Sequence, residues 1–192
     1  MGRWEPNVRG RLARAALVLS AEKGYDNTTV AEIAASAGVT ERTFYRYFAD
    51  KADALFPDNT SLLPVLADVV RDAVHGGAGP LDAALAAVRA LARYASEEPE
   101  RPRLIAQVIP AVPVLAGREL VRQRQIADAL STSLKDTGVP ALPAQLAAET
   151  ALAVWRVAVA EWAGDAPVRA LMDVVESTAE VARSQTRPAR PQ

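Results

Sequence analysis

The sequence predicts an all-α fold, and three observations carry the prediction. Thr29–Phe48, TVAEIAASAGVTERTFYRYF, reads as two short capped helices joined by a glycine turn. Half of the 192 residues are hydrophobic, 50%, and alanine is prominent among them, a composition that favours closely packed helices. No alternating apolar and polar run bounded by hairpin residues suggests a strand. The expected architecture is an N-terminal three-helix domain built on a helix-turn-helix, residues 1–51. A larger helical domain occupies residues 52–184, with a polar, proline-rich, disordered tail over 185–192.

The first helix is expected from Pro6 or Val8 to Lys23, with Leu12, Ala16 and Leu19 on one face and Gly24 ending it. Arg3, Arg9 and Arg11 lie at or before its start, where each either meets nucleic acid or forms a solvated basic end. Thr29 precedes an apolar-periodic run and has Glu32 three residues on, a capping box, so the second helix spans Val30–Ala37. Gly38 leaves that helix through a left-handed conformation at no steric cost. Thr40 caps the third helix, Glu41–Phe48. Ile33, Ala37, Val39 and Phe44 are spaced to meet in one small core, and Ala34 is small where the helices approach. Glu41, Arg42, Thr43, Tyr45, Arg46 and Tyr47 are left outward on the third helix, with hydrogen-bonding groups of groove-reading length. A helix-turn-helix places this helix in the major groove of DNA. Two capped helices also occur in all-α domains that bind no DNA; the outward tyrosines and arginines favour the nucleic-acid reading.

Asp50 is expected to cap a helix beginning near Ala52. Pro57 interrupts it, giving a break over Phe56–Thr60 before a helix resumes from Leu62 to Val74. Gly76-Gly77-Ala78-Gly79-Pro80 is a loop that lacks the strand and lysine of a phosphate cradle. His75, the only histidine, reads as a surface residue without metal-ligating partners. Further helices are expected over Leu81–Ser96, over Arg101–Ile109 (stopped by Pro110 and Pro113), and from Val114 or Arg118 to Asp136. Arg118, Arg122 and Arg124 read as a solvated face beside Glu119 and Asp128. Pro143–Trp162 is apolar nearly all round and must be buried on more than one side. Asp165 and Pro167 start the last helix, which runs to Ala182.

The net charge of −1 divides unevenly. Residues 1–51 hold eight Lys and Arg against six Asp and Glu, and residues 52–192 hold 14 against 17. The basic excess sits with the helix-turn-helix, as a nucleic-acid interface requires. There is no cysteine, which removes disulfides, thiolate zinc sites and cysteine nucleophiles. No apolar run reaches the roughly 18 residues of a membrane span, and residues 1–7 have no apolar signal core. A cytoplasmic location is expected, with no cofactor and no metal. One isolated histidine and no nucleophile–base cluster predict that the chain is not an enzyme. The competing reading is a helical protein-interaction module without operator binding.

Residues 11–56 resemble the TetR family of bacterial transcriptional regulators. The resemblance is carried by ARAALVLSAEKGYDNTTVAEIAASAG, VTERTFYRYF and ADKADALF. It implies that Thr29 and Thr40 hold phosphates, that Glu41, Arg42 and Thr43 reach base edges, and that Tyr45, Tyr47 and Lys51 touch phosphate, with Arg46 doing either. Position 42 is often small in that family and is arginine here. Arg42 could contact guanine in a bidentate manner, pair with Glu41, or bind a phosphate.

The resemblance also implies that the C-terminal half binds a small molecule and dimerises through its last two long helices. Independent support comes from Pro143–Trp162, which has too much apolar surface for one-sided burial and carries small residues, Ala151 and Ala158 among them, suited to close packing against a partner. The expected partners are a double-stranded DNA operator, a second copy of the chain and a small hydrophobic effector. Gln107, Val108, Val112, Thr150, Trp155 and Arg156 are the candidate effector contacts, the three polar ones because polar groups on apolar helices need partners.

Overall fold

The computed structural model describes residues 7–56, 62–164 and 169–186. Among the described residues there are nine α-helices, one 3₁₀ turn and no strand. The chain divides into two compact units. One is Met1–Asp58 with Glu100–Glu119, and the other is Asn59–Pro99 with Leu120–Gln192.

In the first unit, α1 spans Val8–Lys23, α2 Val30–Ser36 and α3 Glu41–Tyr47. Asn7 caps α1 from a left-handed conformation, its Oδ1 accepting from Gly10 N at 2.9 Å. A Cβ on Gly10 would lie 2.3 Å from that oxygen, so the cap requires glycine there. The capping box predicted at α2 is complete: Thr29 Oγ1 accepts from Glu32 N, and Glu32 accepts from Thr29 N. Gly38 makes the turn at φ +70°, and Thr40 caps α3 by accepting from Thr43 N. Leu12, Ala16, Ile33, Ala34, Ala37, Phe44 and Phe48 fill the core of this unit, while Val39 and Leu19 are half-buried against it.

Asp50 does cap the next element, with Oδ1 accepting from Asp53 N at 2.8 Å, but that element is a 3₁₀ turn over Asp53–Leu55 instead of an α-helix. Phe56 is extended at ψ 135°, the conformation favoured for a residue preceding proline, and the helix cannot propagate through it. The rest of the expected break, Pro57–Thr60, lies outside the described residues. α6, Glu100–Ala111, and the first turns of α7, Pro113–Asp136, complete this unit. Val108, Ile109 and Leu115 are buried in the same core as Leu12 and Phe44. α6 continues two residues beyond Ile109, carrying Pro110 in its last turn.

The second unit holds α4, Leu62–His75; α5, Pro80–Glu97; the remainder of α7; α8, Ala141–Gly164; and α9, Leu171–Thr186. Pro80 begins α5, and Pro143 lies in the first turn of α8, where a missing N–H costs nothing. The core pairs alanines with larger residues: Ala83, Ala84, Ala87, Ala144, Ala148 and Ala151 against Leu66, Val88, Ile126, Leu130, Leu134 and Val175. Ion pairs fasten α5 to α9. Arg89 reaches both oxygens of Glu176, at 2.6 and 3.0 Å, and Arg183 meets Asp82 at 2.8 Å. The Arg89 hydrogen bonds lower the Glu176 pKa against the opposing effect of burial. The final helix is described from Leu171, because Asp165 and Pro167, its expected start, lie outside the described residues. It persists through Ser184, whose Oγ donates to the Val181 carbonyl. Of the tail expected over 185–192, residues 187–192 lie outside the described residues. No single described helix is long and apolar enough to cross a membrane.

Candidate nucleic-acid interface

α3 presents one buried face and one open face. Phe44 is fully buried and anchors the helix, with its ring edge-on to Tyr45 at 5.4 Å and tilted against Phe48 at 5.5 Å. Tyr45 is then 57% exposed, an unusual position for an aromatic ring with no partner surface. Arg42, Thr43, Tyr45 and Arg46 together line a concavity of about 370 Å³. Glu41 and Arg42 are exposed, and neither forms an ion pair with the other. Adjacent helical side chains point about 100° apart and do not face each other, so of the three contacts open to Arg42 the pairing with Glu41 is not formed.

Other α3 side chains are already engaged. The hydroxyls of Thr40 and Thr43 lie 3.1 Å apart and share a hydrogen. The Arg46 guanidinium sits 5.0 Å above the Tyr47 ring, and its Nη2 donates to Tyr47 Oη at 3.4 Å. Tyr47 itself is half-buried against the core of this unit.

Two residues expected to meet phosphate, Lys51 and Thr29, also bond within the protein. Lys51 Nζ donates to the carbonyls of Tyr25, at 2.5 Å, and Thr28, at 2.7 Å, and lies 4.0 Å above the Tyr25 ring. Burial raises the Tyr25 pKa, assisted by the Asp50 charge. Thr29 Oγ1 donates to Glu32 Oε2 at 2.7 Å while accepting from Glu32 N, which occupies its hydrogen. The same Glu32 carboxylate meets Lys23, and these contacts hold its pKa down to about 2.

Three arginines prove to support the helix-turn-helix. Arg11 Nε donates to the Ala37 carbonyl at 3.2 Å, fixing the end of α2. Arg9 stacks over Phe48 at 5.3 Å. Arg118, read from sequence as part of a solvated face, makes two hydrogen bonds to Asp50, at 3.2 and 2.6 Å. Burial opposes the Asp50 charge, but the Arg118 hydrogen bond and charge, with the Asp53 and Ala52 amides, keep its carboxyl below the usual carboxylate range. No sequence spacing signals a pair 68 residues apart. Arg3 lies outside the described residues.

The six candidate effector residues are divided between the units. Val108 is buried, Val112 half-buried and Gln107 exposed on and beside α6 in the first unit. Thr150 and Trp155 are half-buried and Arg156 exposed on α8 in the second. Gln107 and Arg156 meet solvent, so their polarity needs no buried partner. The carboxylates of the same helix, Glu149 and Glu161, pair with Arg124 and Arg169.

Residues 12–56 match the family described as bacterial regulatory proteins, tetR family. No curated protein matches the chain. Among solved structures, the fold is similar to that of FadR from Thermus thermophilus, a TetR family transcriptional repressor in complex with lauroyl-CoA. That likeness has a TM-score of 0.60 and 24% identity over 96% of this chain and 98% of the other. The fatty acid degradation regulator FadR from Bacillus halodurans is similar at TM-score 0.68 and 17% identity, covering 98% and 100% of the two chains. FadR from Bacillus subtilis, in complex with stearoyl-CoA, gives TM-score 0.62 and 17% identity over 93% and 99%.

Proposed function

We propose that this chain, which belongs to the tetR family of bacterial regulatory proteins through residues 12–56, is a dimeric, non-enzymatic repressor released from a palindromic operator by a small hydrophobic effector. The observation that carries the reading is the open face of α3. A buried Phe44 fixes the helix while Arg42, Thr43, Tyr45 and Arg46 stand together on its outer face. Such a face suits the major groove, where side chains of this kind reach base edges and phosphates. Thr40 and Tyr47 flank it, and Glu41 stands where it disfavours any backbone phosphate close to the start of α3.

The effector is assigned to the second unit. The similar FadR structures hold lauroyl-CoA and stearoyl-CoA, which makes acyl-CoA thioesters the first class to test here. On α8, Thr150 and Trp155 are half-buried in that unit, whereas Val108 is committed to the other core. An effector can release the operator only through a difference in affinity for the bound and free conformations. A coupling of about 1–3 kcal/mol would weaken operator binding roughly 5–150-fold.

The test is a titration of the full chain against the DNA flanking its own gene, monitored by fluorescence anisotropy. Binding should be tight and fall steeply with salt, with a log–log slope near −0.9 per phosphate neutralised. Tyr45→Ala should weaken binding to every sequence alike, since phosphate contacts position the protein without reading bases. Addition of an acyl-CoA should raise the dissociation constant. Failure to bind any duplex above the non-specific level would favour a protein-interaction role for the same tyrosines and arginines.

A further inference from the structure

We infer that Arg42 is the specificity-determining side chain of α3 and that it reads a guanine in each half-site of the operator. The inference rests on the proposed DNA-binding role and deepens it. Four observations on α3 carry it.

Arg42 is exposed, lines the concavity, and makes no hydrogen bond or ion pair among the described residues. Its guanidinium therefore keeps all five donors for a ligand. Arg46, the other cation of the helix, is different. It stacks over Tyr47 and donates to the Tyr47 hydroxyl, so the two point together and suit a phosphate at the edge of the groove. The Thr40 and Thr43 hydroxyls share one hydrogen bond at 3.1 Å, which restrains the threonine beside Arg42. Glu41 repels phosphate oxygens. An arginine beside it is favoured where positive charge meets a base edge, away from the backbone.

The chemistry then selects the base. A planar guanidinium matches the paired O6 and N7 acceptors of guanine, and no other base offers two acceptors side by side in the major groove. Residues at the start of a recognition helix are the ones that reach base edges. One such bidentate contact is worth about a 5- to 150-fold preference over another base. Because Arg42 has no structural duty within the protein, replacing it should leave the fold intact and change only what the protein reads.

The experiment selects duplexes from a random pool with the full-length wild type, with Arg42→Ala and with Arg42→Gln, then measures salt dependence on the selected site. Circular dichroism of each variant should match wild type, as the side chain is solvent-exposed. Wild type should recover a site with one guanine fixed in each half. Arg42→Ala should recover the same site with that position relaxed and the salt slope nearly unchanged. Arg42→Gln should move the preference at that position towards adenine, the base whose N6 and N7 suit a glutamine amide. The inference is overturned if Arg42→Ala keeps every base preference while its salt slope falls by about one per half-site, since Arg42 is then a phosphate contact. It is also overturned if wild type selects a site with no fixed guanine. If wild type enriches no sequence at all, the regulator reading fails with it, and the two failures are told apart by whether any specific site emerges.

Discussion

An ammonium group carries three hydrogens, and Lys51 spends two of them inside the protein. Its acceptors are the carbonyls of Tyr25 and Thr28, which end the loop entering α2, and its charge rests on the Tyr25 ring. The side chain thus ties the segment after α3 to the loop before α2, and so holds the two helices of the motif in register. Lys51→Met should leave both carbonyls without their charged donor. A loss of about 1–3 kcal/mol of stability is expected, read as a lower urea midpoint, with any weakening of DNA binding arising from the loosened loop. A variant that unfolds at the wild-type midpoint but binds DNA with a shallower salt slope would return Lys51 to the phosphate backbone. At this scale the sequence was legible where a role depends on near neighbours. Thr29, Glu32, Gly38, Thr40 and Phe44 all act within a few residues of themselves, and their spacing states what they do. Lys51, Arg11 and Arg118 act across 23 to 68 residues. Nothing in a linear pattern distinguishes such cations from solvated ones.

Among the α-helices, α2 and α3 are equally the shortest, and the seven residues of α2 are too few to be stable alone. Its start is held by the Thr29–Glu32 box and by Lys23, which meets the same carboxylate from the end of α1. The Lys23 hydrogen bond, then those of Thr29, lower the Glu32 pKa from 4.5 to about 2. A carboxyl whose folded pKa is depressed stabilises the fold fully above its unfolded value. That contribution is lost as pH falls towards the folded value, so the window runs from 4.5 down to about 2. Wild type should therefore be more stable than Glu32→Gln at pH 6, and the gap should close as acid is added through that window. Parallel urea melts at stepped pH would show it; a gap that stays constant down to pH 2 would mean the charge contributes nothing. Caps and glycines made most of the helix limits readable, with α1, α2, α3 and α4 lying within a residue or so of expectation. The 3₁₀ turn at Asp53–Leu55 was not, because Asp50 caps either kind of helix equally well and only the space left before Pro57 decides between them.

For the whole molecule the decisive surface is α8. Its sequence is apolar nearly all round, but the structure separates two faces that the sequence could not rank. Ala151 and Ala158, the alanines expected to meet a partner, are fully buried within their own unit. Leu142, Leu146 and Val157 are instead 76%, 65% and 55% exposed. At 3.6 residues per turn these three fall within about 60° of one another, with Ala153 and Ala160 between them, on the side away from Ala151. A stripe of large apolar side chains along a helix of this length is the kind of patch that isolated monomers avoid. A second copy laid against it by two-fold symmetry would cover it, and the exposed Val181 of α9 could extend the contact. Obligate interfaces of this type bury more than about 2,000 Å² in total. The proposed dimer would also set two α3 helices about one DNA turn, ~34–36 Å, apart on a palindromic site. Val157→Glu and Leu146→Glu should each yield a folded monomer that has lost tight operator binding, because one half-site alone must then hold the protein. Ala151→Glu should do something different, unfolding the second unit by forcing a charge into a closed core. Sedimentation at micromolar concentration separates the cases. Wild type should run at twice the chain mass and the two stripe variants at the single-chain mass with helical content unchanged. A wild-type monomer at that concentration would rule out the two-fold arrangement, and with it the palindromic operator.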